Sequence, residues 1–200
     1  MKKNIIQIVL LLLIIVLVYL VYESVMKPIR FNKERNKREA VIIDKLKNIR
    51  TAQVSFKAVY GEYAGSFDTL IDFLKNGKFP IVKKIGDIPD SLYEKGMTEE
   101  EAIKEGIIIR DSTFVDVSDS LFKDKGNFYI DSIAYIPFSG GVKFHLEAGE
   151  KKQGGVKVRV FYVFAANKYL LKGLDEKKFK PEEGLSVGSM EEPSIDGNWE

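Results

Sequence analysis

The dominant feature of the hydrophobic pattern is an apolar run over residues 5–22, IIQIVLLLLIIVLVYLVY, in which Gln7 is the only strongly polar residue. At 1.5 Å per residue, a helix of this length reaches about 27 Å, close to the ~30 Å hydrocarbon core of a bilayer. Leu, Ile and Val each favour insertion by about 0.3–0.6 kcal/mol, which together favours insertion strongly. Tyr19 and Tyr22 lie where an interfacial aromatic belt is expected. The pattern predicts a transmembrane anchor over residues 1–25 that contacts the lipid bilayer through residues 5–22.

Two interpretations of this run remain open, an uncleaved anchor and a cleaved signal peptide. Lys2 and Lys3 precede the run, as in a secretory signal. However, the run is longer than the usual apolar region of a signal peptide, and VYESVMKPIRF after it offers no small-x-small cleavage site. The uncleaved anchor is the better fit. Lipoprotein acylation is excluded because the chain contains no cysteine.

The charges that follow the run bear on membrane orientation. Residues 27–38 are rich in Lys and Arg, which by the positive-inside rule would keep the domain in the cytoplasm. The rule weakens for long domains, which cross the membrane largely regardless of charge. Together with the resemblance described below, this favours a single-pass protein of the inner membrane whose soluble domain lies on the exported, periplasmic side.

A second helical pattern covers residues 26–60, with Pro28 near its start as either a kink within one helix or a joint between two. Apolar residues recur at alternating steps of four and three, and Gln53 completes the row. We call this row the stripe: Ile42, Leu46, Ile49, Gln53 and Phe56. Two uses of the stripe remain open, packing on the chain's own sheet and contact with a second subunit in a coiled coil. The stripe residues are therefore the candidate interaction residues.

Residues 61–181 read as a soluble α+β domain. Gly61 ends the long helix, Ser66 caps a helix over Phe67–Lys75, and Thr98 caps a helix that begins with three glutamates. Alternating apolar residues then predict an antiparallel meander. Its three predicted strands are Phe128–Phe138, Val142–Ala148 and Val156–Ala165. The predicted fold is thus an N-terminal transmembrane helix that continues into an amphipathic helix packed on a C-terminal antiparallel sheet.

Charge is segregated along a chain whose formal net charge is only +2. Residues 27–50 are mostly basic, which suits a flank that meets anionic headgroups. Residues 182–200 carry acids and no base, and from Pro181 onward they read as an acidic, loop-like tail in which Trp199 is expected to dock on the domain. No basic face on a recognisable reader is visible, so nucleic acid is not an expected partner.

The chain shows no recognisable catalytic or cofactor machinery. His145 is the only histidine and lies in a predicted strand without a second ligand of its kind nearby. An acidic series runs through Asp111, Asp116, Asp119 and Asp124, but its spacing differs from the calcium-loop pattern. Calcium in a loop stays open as an alternative. Otherwise we expect no enzyme activity, no cofactor and no metal.

The sequence around the end of the long helix, NIRTAQVSFKAVYGEYAGSFDTL, resembles the pilin and type II secretion pseudopilin family. The likeness rests on an Ala-Gln pair with aromatic residues, then Gly-x-Tyr and a leucine, and it covers roughly the first 75 residues and the order of elements. The matching residues are Ala52, Gln53, Phe56, Tyr60, Gly61, Tyr63 and Leu70. The resemblance implies a long helix that spans the membrane and packs on a C-terminal sheet.

The start of the chain departs from that family. The family's leader glycine and the glutamate near the start of its helix have no counterpart in MKKNIIQIVLLLL. This departure leaves leader processing and glutamate-guided filament assembly open. The predicted function is a non-enzymatic structural or assembly subunit of a bacterial envelope complex, with itself or other envelope proteins as partners. The alternative is a membrane-anchored ligand-binding or sensory domain that uses the loops of residues 86–125.

Overall fold

The computed structural model describes residues 2–94, 96–125 and 129–200, and its first element is a single long helix, α1, over Lys2–Tyr60. With 59 residues, α1 is about 88 Å long. Pro28 lies inside this helix. It leaves the Ser24 carbonyl without its helical donor, in a stretch where the backbone meets solvent or headgroups. Of the two alternatives for Pro28, the structure has one uninterrupted helix and not two helices with a joint.

A small antiparallel sheet packs against the C-terminal half of α1. Its strands are β3 (His145–Gln153), β4 (Val156–Ala166) and β5 (Gly184–Ser189), in the order β3-β4-β5. Alternate residues of β4 point into the core because side chains along a strand alternate between faces. Phe161, Val163 and Ala165 are all fully buried. The predicted α+β class, a long apolar N-terminal helix with a small antiparallel sheet, is confirmed.

Short helices and a two-stranded ladder complete the domain. Strands β1 (Lys78–Ile85) and β2 (Ile109–Asp116) pair with each other and not with the three-stranded sheet. The short helices are α2 (Phe67–Asn76), α3 (Asp90–Tyr93), α4 (Glu99–Lys104), α5 (Val117–Phe122) and α6 (Asn167–Leu170). The predicted caps are confirmed. The Ser66 hydroxyl accepts from the Thr69 N–H, and Thr98 and Glu101 form a reciprocal capping box.

The prediction of a strand over Phe128–Phe138 is wrong for the described part of that range. Ile130–Ala134 forms a 3₁₀-helix, and of the segment only Tyr135 makes an isolated bridge, to Lys143. Ile133 and Ala134 are buried and Ile130 packs against the core. That i, i+3, i+4 spacing is helical and not alternating. Phe128 lies outside the described residues.

The C-terminal segment supplies the strand that the sequence assigned to residues 128–138. The prediction of a loop-like tail from Pro181 is wrong for β5, whose Val187 pairs with Val163 of β4 and is fully buried. The predicted docking of Trp199 is confirmed, since its ring packs against the core. Beyond β5, the Arg50 guanidinium of α1 donates to the Glu200 carboxylate at 2.8 Å. That hydrogen bond, helped by the Gly197 N–H, holds the pKa of Glu200 below its usual value.

Gly188 of β5 provides a sharp test of this tail packing. Its φ is +76°, and a Cβ at this position would collide with the Phe161 carbonyl oxygen of β4. Gly188→Ala is therefore expected to lower the free energy of unfolding by about 1–3 kcal/mol. Urea unfolding of the detergent-solubilised full-length protein, followed by the fluorescence of the single tryptophan, measures this loss.

Gly65→Ala is the matched control. A Cβ on Gly65 meets nothing within 4 Å and its φ is not in the left-handed region. We expect a change within about 0.5 kcal/mol. Equal unfolding midpoints for the two variants would contradict the placement of β5 beside β4.

Candidate membrane anchor and interaction surface

The N-terminal third of α1 is an apolar surface that the rest of the chain does not cover. Every Leu, Ile and Val side chain from Ile6 to Val21 is more than half exposed. Covering these fourteen side chains, at about 1.5 kcal/mol or more each, is worth on the order of 20 kcal/mol. By length and composition, α1 is one helix that can cross a membrane, as a span or a signal anchor. A helix that is apolar on every side is typical of a membrane span or of a helix packed among other apolar helices.

The first charged residues beyond the apolar run are one acid and two bases, which form ion pairs along α1. Glu23 lies 3.7 Å from Lys27 and 3.2 Å from Arg30, one turn and two turns further along α1. These pairs are exposed, so each contributes little to stability. They are the first charged side chains that follow the apolar run along α1.

The structure brings all five stripe residues together, but inside the chain's own domain. Ile42, Leu46, Ile49 and Gln53 have no exposed surface, and Phe56 is 7% exposed. They join a core that includes β4, β5 and α2. Packing on the chain's own sheet, one of the two uses left open by the sequence, is therefore what this structure has. A subunit interface through the stripe would require the domain to release α1, and it stays a prediction.

Gln53 makes two side-chain hydrogen bonds within that core. Its Nε2 donates to the Ala64 carbonyl and its Oε1 accepts from the Ala64 N–H, both at 2.9 Å. The side chain thus pairs with a backbone peptide as a neighbouring strand would, and it does so fully buried. Since Tyr60 ends α1, this amide fixes how the chain turns back after the helix. The sequence marked Gln53 as a row member and did not indicate this partner.

Two lysines attach the middle of α1 to the segment before β3. The Lys45 ammonium donates to the Tyr135 carbonyl at 2.9 Å, and burial lowers the pKa of Lys45. The Lys125 ammonium donates to the Asn48 side chain at 2.5 Å and lies 3.3 Å from Asp44. Asn48 is itself buried, so this contact satisfies a polar group that would otherwise be costly.

The opposite side of α1 faces solvent along the whole domain. We call it the outer face, and its residues recur at steps of three and four. They are Lys33, Lys37, Ala40, Asp44, Lys47, Thr51, Val54 and Ala58. The charge pattern of the sequence predicts a different set for this face, and only Lys47 of that set lies on it. The other four are half-buried at the sides of the helix: Glu34, Arg38, Lys45 and Lys57. The outer face is the part of the helix that a partner can reach without unfolding the domain.

The domain's clefts are shallow and open to solvent. One of about 410 Å³ contains Asp68, Asp72 and Asp131, with Lys75 2.6 Å from Asp131. Another, of about 420 Å³, lies between Asp87 and Glu99, within the loops named for the ligand-binding alternative. It mixes acidic, apolar and hydroxyl groups.

The residues considered for metal binding do not converge. His145 is exposed, and its Nε2 lies 2.7 Å from Glu147. Asp116 and Asp119 are exposed, while the side chains of Asp111 and Asp124 lie outside the described residues. Among the described residues, no group of three or more His, Asp and Glu is placed to hold a metal ion.

The Gln53 pairing predicts a specific loss of stability. Gln53→Leu keeps the volume but leaves the buried Ala64 N–H and carbonyl unpaired, which is expected to cost about 2–4 kcal/mol. Urea unfolding of the full-length protein in detergent, followed by Trp199 fluorescence, measures it.

Gln153→Leu on the exposed hairpin is the control, with an expected change within about 0.5 kcal/mol. If Gln53→Leu is as stable as this control, the amide does not hold the turn after α1.

Comparison with known proteins adds no assignment. The chain matches no protein-family model, no curated protein and no solved structure at the significance applied. The function proposed below therefore rests on the fold and its surfaces.

Proposed function

We propose that this chain is a non-enzymatic, single-pass membrane protein that serves as a structural or assembly subunit of a bacterial envelope complex, in the manner of pilins and pseudopilins. Its place is the inner membrane, with the soluble domain on the exported side. The observation that carries the proposal is the double use of α1. The same helix exposes a span-length apolar segment and, further along, buries its stripe in the domain core.

This double use makes the domain a rigid extension of the anchor. A sensory or enzymatic domain on a flexible tether samples many heights and orientations, whereas a domain built around its own anchor helix holds one. Burial of Ile42, Leu46 and Ile49 fixes the rotation of α1 relative to the sheet. Restricting the chain to a membrane also raises the local concentration of partners, so weak contacts suffice for assembly.

The likeness to pilins supports the same function. The Ala52-Gln53 pair and the Gly61-x-Tyr63 motif lie at the turn that follows α1, and Gln53 is the residue that organises it. A subunit of this kind assembles with other envelope proteins or with further copies of itself. In that assembly the apolar segment and the outer face are the surfaces free to contact partners.

A membrane-anchored ligand-binding or sensory domain is the alternative. The cleft between Asp87 and Glu99 is the feature that favours it, since it lies in the loops where a ligand site was expected. Its exposed, mixed lining gives no indication of a particular ligand.

Cysteine chemistry tests the proposal because the chain has no cysteine of its own. Thr51→Cys places a thiol on the outer face and Ile49→Cys places one in the core, two residues away. In intact spheroplasts, a membrane-impermeant maleimide is expected to label Cys at position 51 and not at position 49. Labelling of position 51 only after lysis would put the domain in the cytoplasm and contradict the proposed side.

The same variants identify partners. Cross-linking in native membranes from position 51, followed by mass spectrometry, is expected to capture a ladder of self-adducts or one defined envelope protein. Adducts from position 49 instead would place the stripe between subunits. If neither position yields adducts while labelling succeeds, the assembly function fails and the ligand-binding alternative takes its place.

A further inference from the structure

The end of the domain nearest the anchor rests on α1 through an aromatic pair. Phe31 is the first buried side chain of α1 after the apolar run, and its ring stacks on Phe179 with centroids 6.5 Å apart. The Lys178 ammonium lies 5.2 Å from the centre of the Phe31 ring. These contacts hold the segment before β5 beside Phe31. Phe31 is the residue nearest the anchor at which the domain covers α1.

An open cleft of about 380 Å³ lies at this contact and is lined mainly by cations. We call its four basic residues the basic foot: Arg35, Lys177, Lys178 and Lys180. The remaining lining consists of Asn167, Phe179 and one acid, Glu183. Two elements far apart in sequence, α1 and the segment after α6, thus bring four cations together around one open cleft.

Three acids pair with cations of the foot, and a fourth, Glu176, is exposed beside it. Glu183 lies 2.6 Å from Lys180, and Asp175 lies 3.8 Å from Lys178. Glu39 accepts from Arg35 at 2.6 Å. All of these pairs are at least partly exposed, so a phosphate that contacts two cations at once competes with them readily.

Lys177 is exposed and makes no ion pair among the described residues.

The foot lies within electrostatic reach of the membrane surface. Phe31 lies nine positions after Tyr22, the end of the apolar run. The edge of the foot nearest the anchor, where Lys178 meets Phe31, is therefore about 13 Å along the helix from the hydrocarbon edge. The headgroup layer fills roughly 5–8 Å of that distance. The remaining gap is shorter than the Debye length of about 8 Å, and a helix tilt of about 20° toward the domain would narrow it.

We propose that the basic foot binds the phosphate of anionic phospholipid headgroups in the bilayer that holds α1. Arg and Lys are the side chains that bind phosphate, and lysines beside an anionic surface add to one another. Docking would fix the tilt of α1 and present the outer face in one direction. This inference rests on the proposed anchoring of residues 5–22.

The test places an environment-sensitive fluorophore at Glu176→Cys in the full-length protein, because Glu176 is exposed in the short 3₁₀-helix beside the foot. The protein is incorporated into nanodiscs of phosphatidylcholine, with or without phosphatidylglycerol, that contain a trace of lipid with a nitroxide headgroup. Quenching by the nitroxide reports docking. Co-elution with the discs reports anchoring separately.

We expect stronger quenching in discs that contain phosphatidylglycerol. Replacing the three foot lysines, as K177Q/K178Q/K180Q, is expected to weaken the docking equilibrium roughly a hundredfold and to abolish this difference. The control K151Q/K152Q/K157Q removes the same charge at the hairpin end of β4, about 33 Å from the foot end, and is expected to keep the difference.

Equal quenching in the foot variant and the control would overturn the proposal. So would a label that responds to inorganic phosphate at matched ionic strength but not to phosphatidylglycerol, since the foot would then take a free anion. Wild-type protein that fails to co-elute with discs would instead defeat the anchor itself. Loss of docking with co-elution intact in K177Q/K178Q/K180Q supports the foot as the site.

Discussion

The structure depends on the continuity of α1, which places one helix in two environments. Its N-terminal third exposes Leu, Ile and Val on every side, and its C-terminal half buries one apolar stripe while other apolar residues, such as Val54, stay exposed. An all-round apolar helix needs an apolar surrounding, while a stripe needs one packing partner. Because the two patterns share one uninterrupted helix, the position of the domain follows from the position of the anchor.

The domain contacts α1 at several positions along the length of the helix. Phe31 meets Phe179 near the anchor, the stripe meets the sheet in the middle, and Gln53 holds the returning chain near the end of the helix. The tail adds a further attachment where Glu200 receives the Arg50 guanidinium. Contacts spread along the helix resist rotation and bending far better than a single hinge, and this supports the proposed structural role.

The sequence predicted those features that depend on local chemistry. The apolar run, the stripe, the Ser66 and Thr98 caps and β4 each follow from spacing or from one residue's hydrogen bonding. The source of the third strand could not be predicted in this way. Ile130, Ile133 and Ala134 have a helical spacing hidden in a segment rich in β-forming residues, and β5 consists largely of Gly and Ser. That strand exists because of its pairing with β4, and pairing partners are not visible in one segment.

The packing partner of the candidate interaction residues could not be predicted from the sequence either. Periodicity correctly grouped Ile42, Leu46, Ile49, Gln53 and Phe56 on one side of the helix, but it does not say which surface covers that side. The partner of Gln53 is a backbone group 11 residues further along, and the basic foot joins residues on α1 to residues more than a hundred positions away. Both depend on the tertiary fold and so required the structure.

A nitroxide scan along α1 in native-like bilayers tests whether one helix both spans the membrane and packs in the domain core. Single cysteines from residue 6 to residue 58 would be spin-labelled, and their relaxation by oxygen and by a water-soluble nickel chelate compared. We expect high oxygen and low nickel accessibility throughout residues 6–22, low accessibility to both at the stripe, and high nickel accessibility at Asp44, Lys47 and Thr51. Nickel accessibility throughout residues 6–22, or stripe positions as open to oxygen as the anchor, would contradict a single helix shared between membrane and domain core.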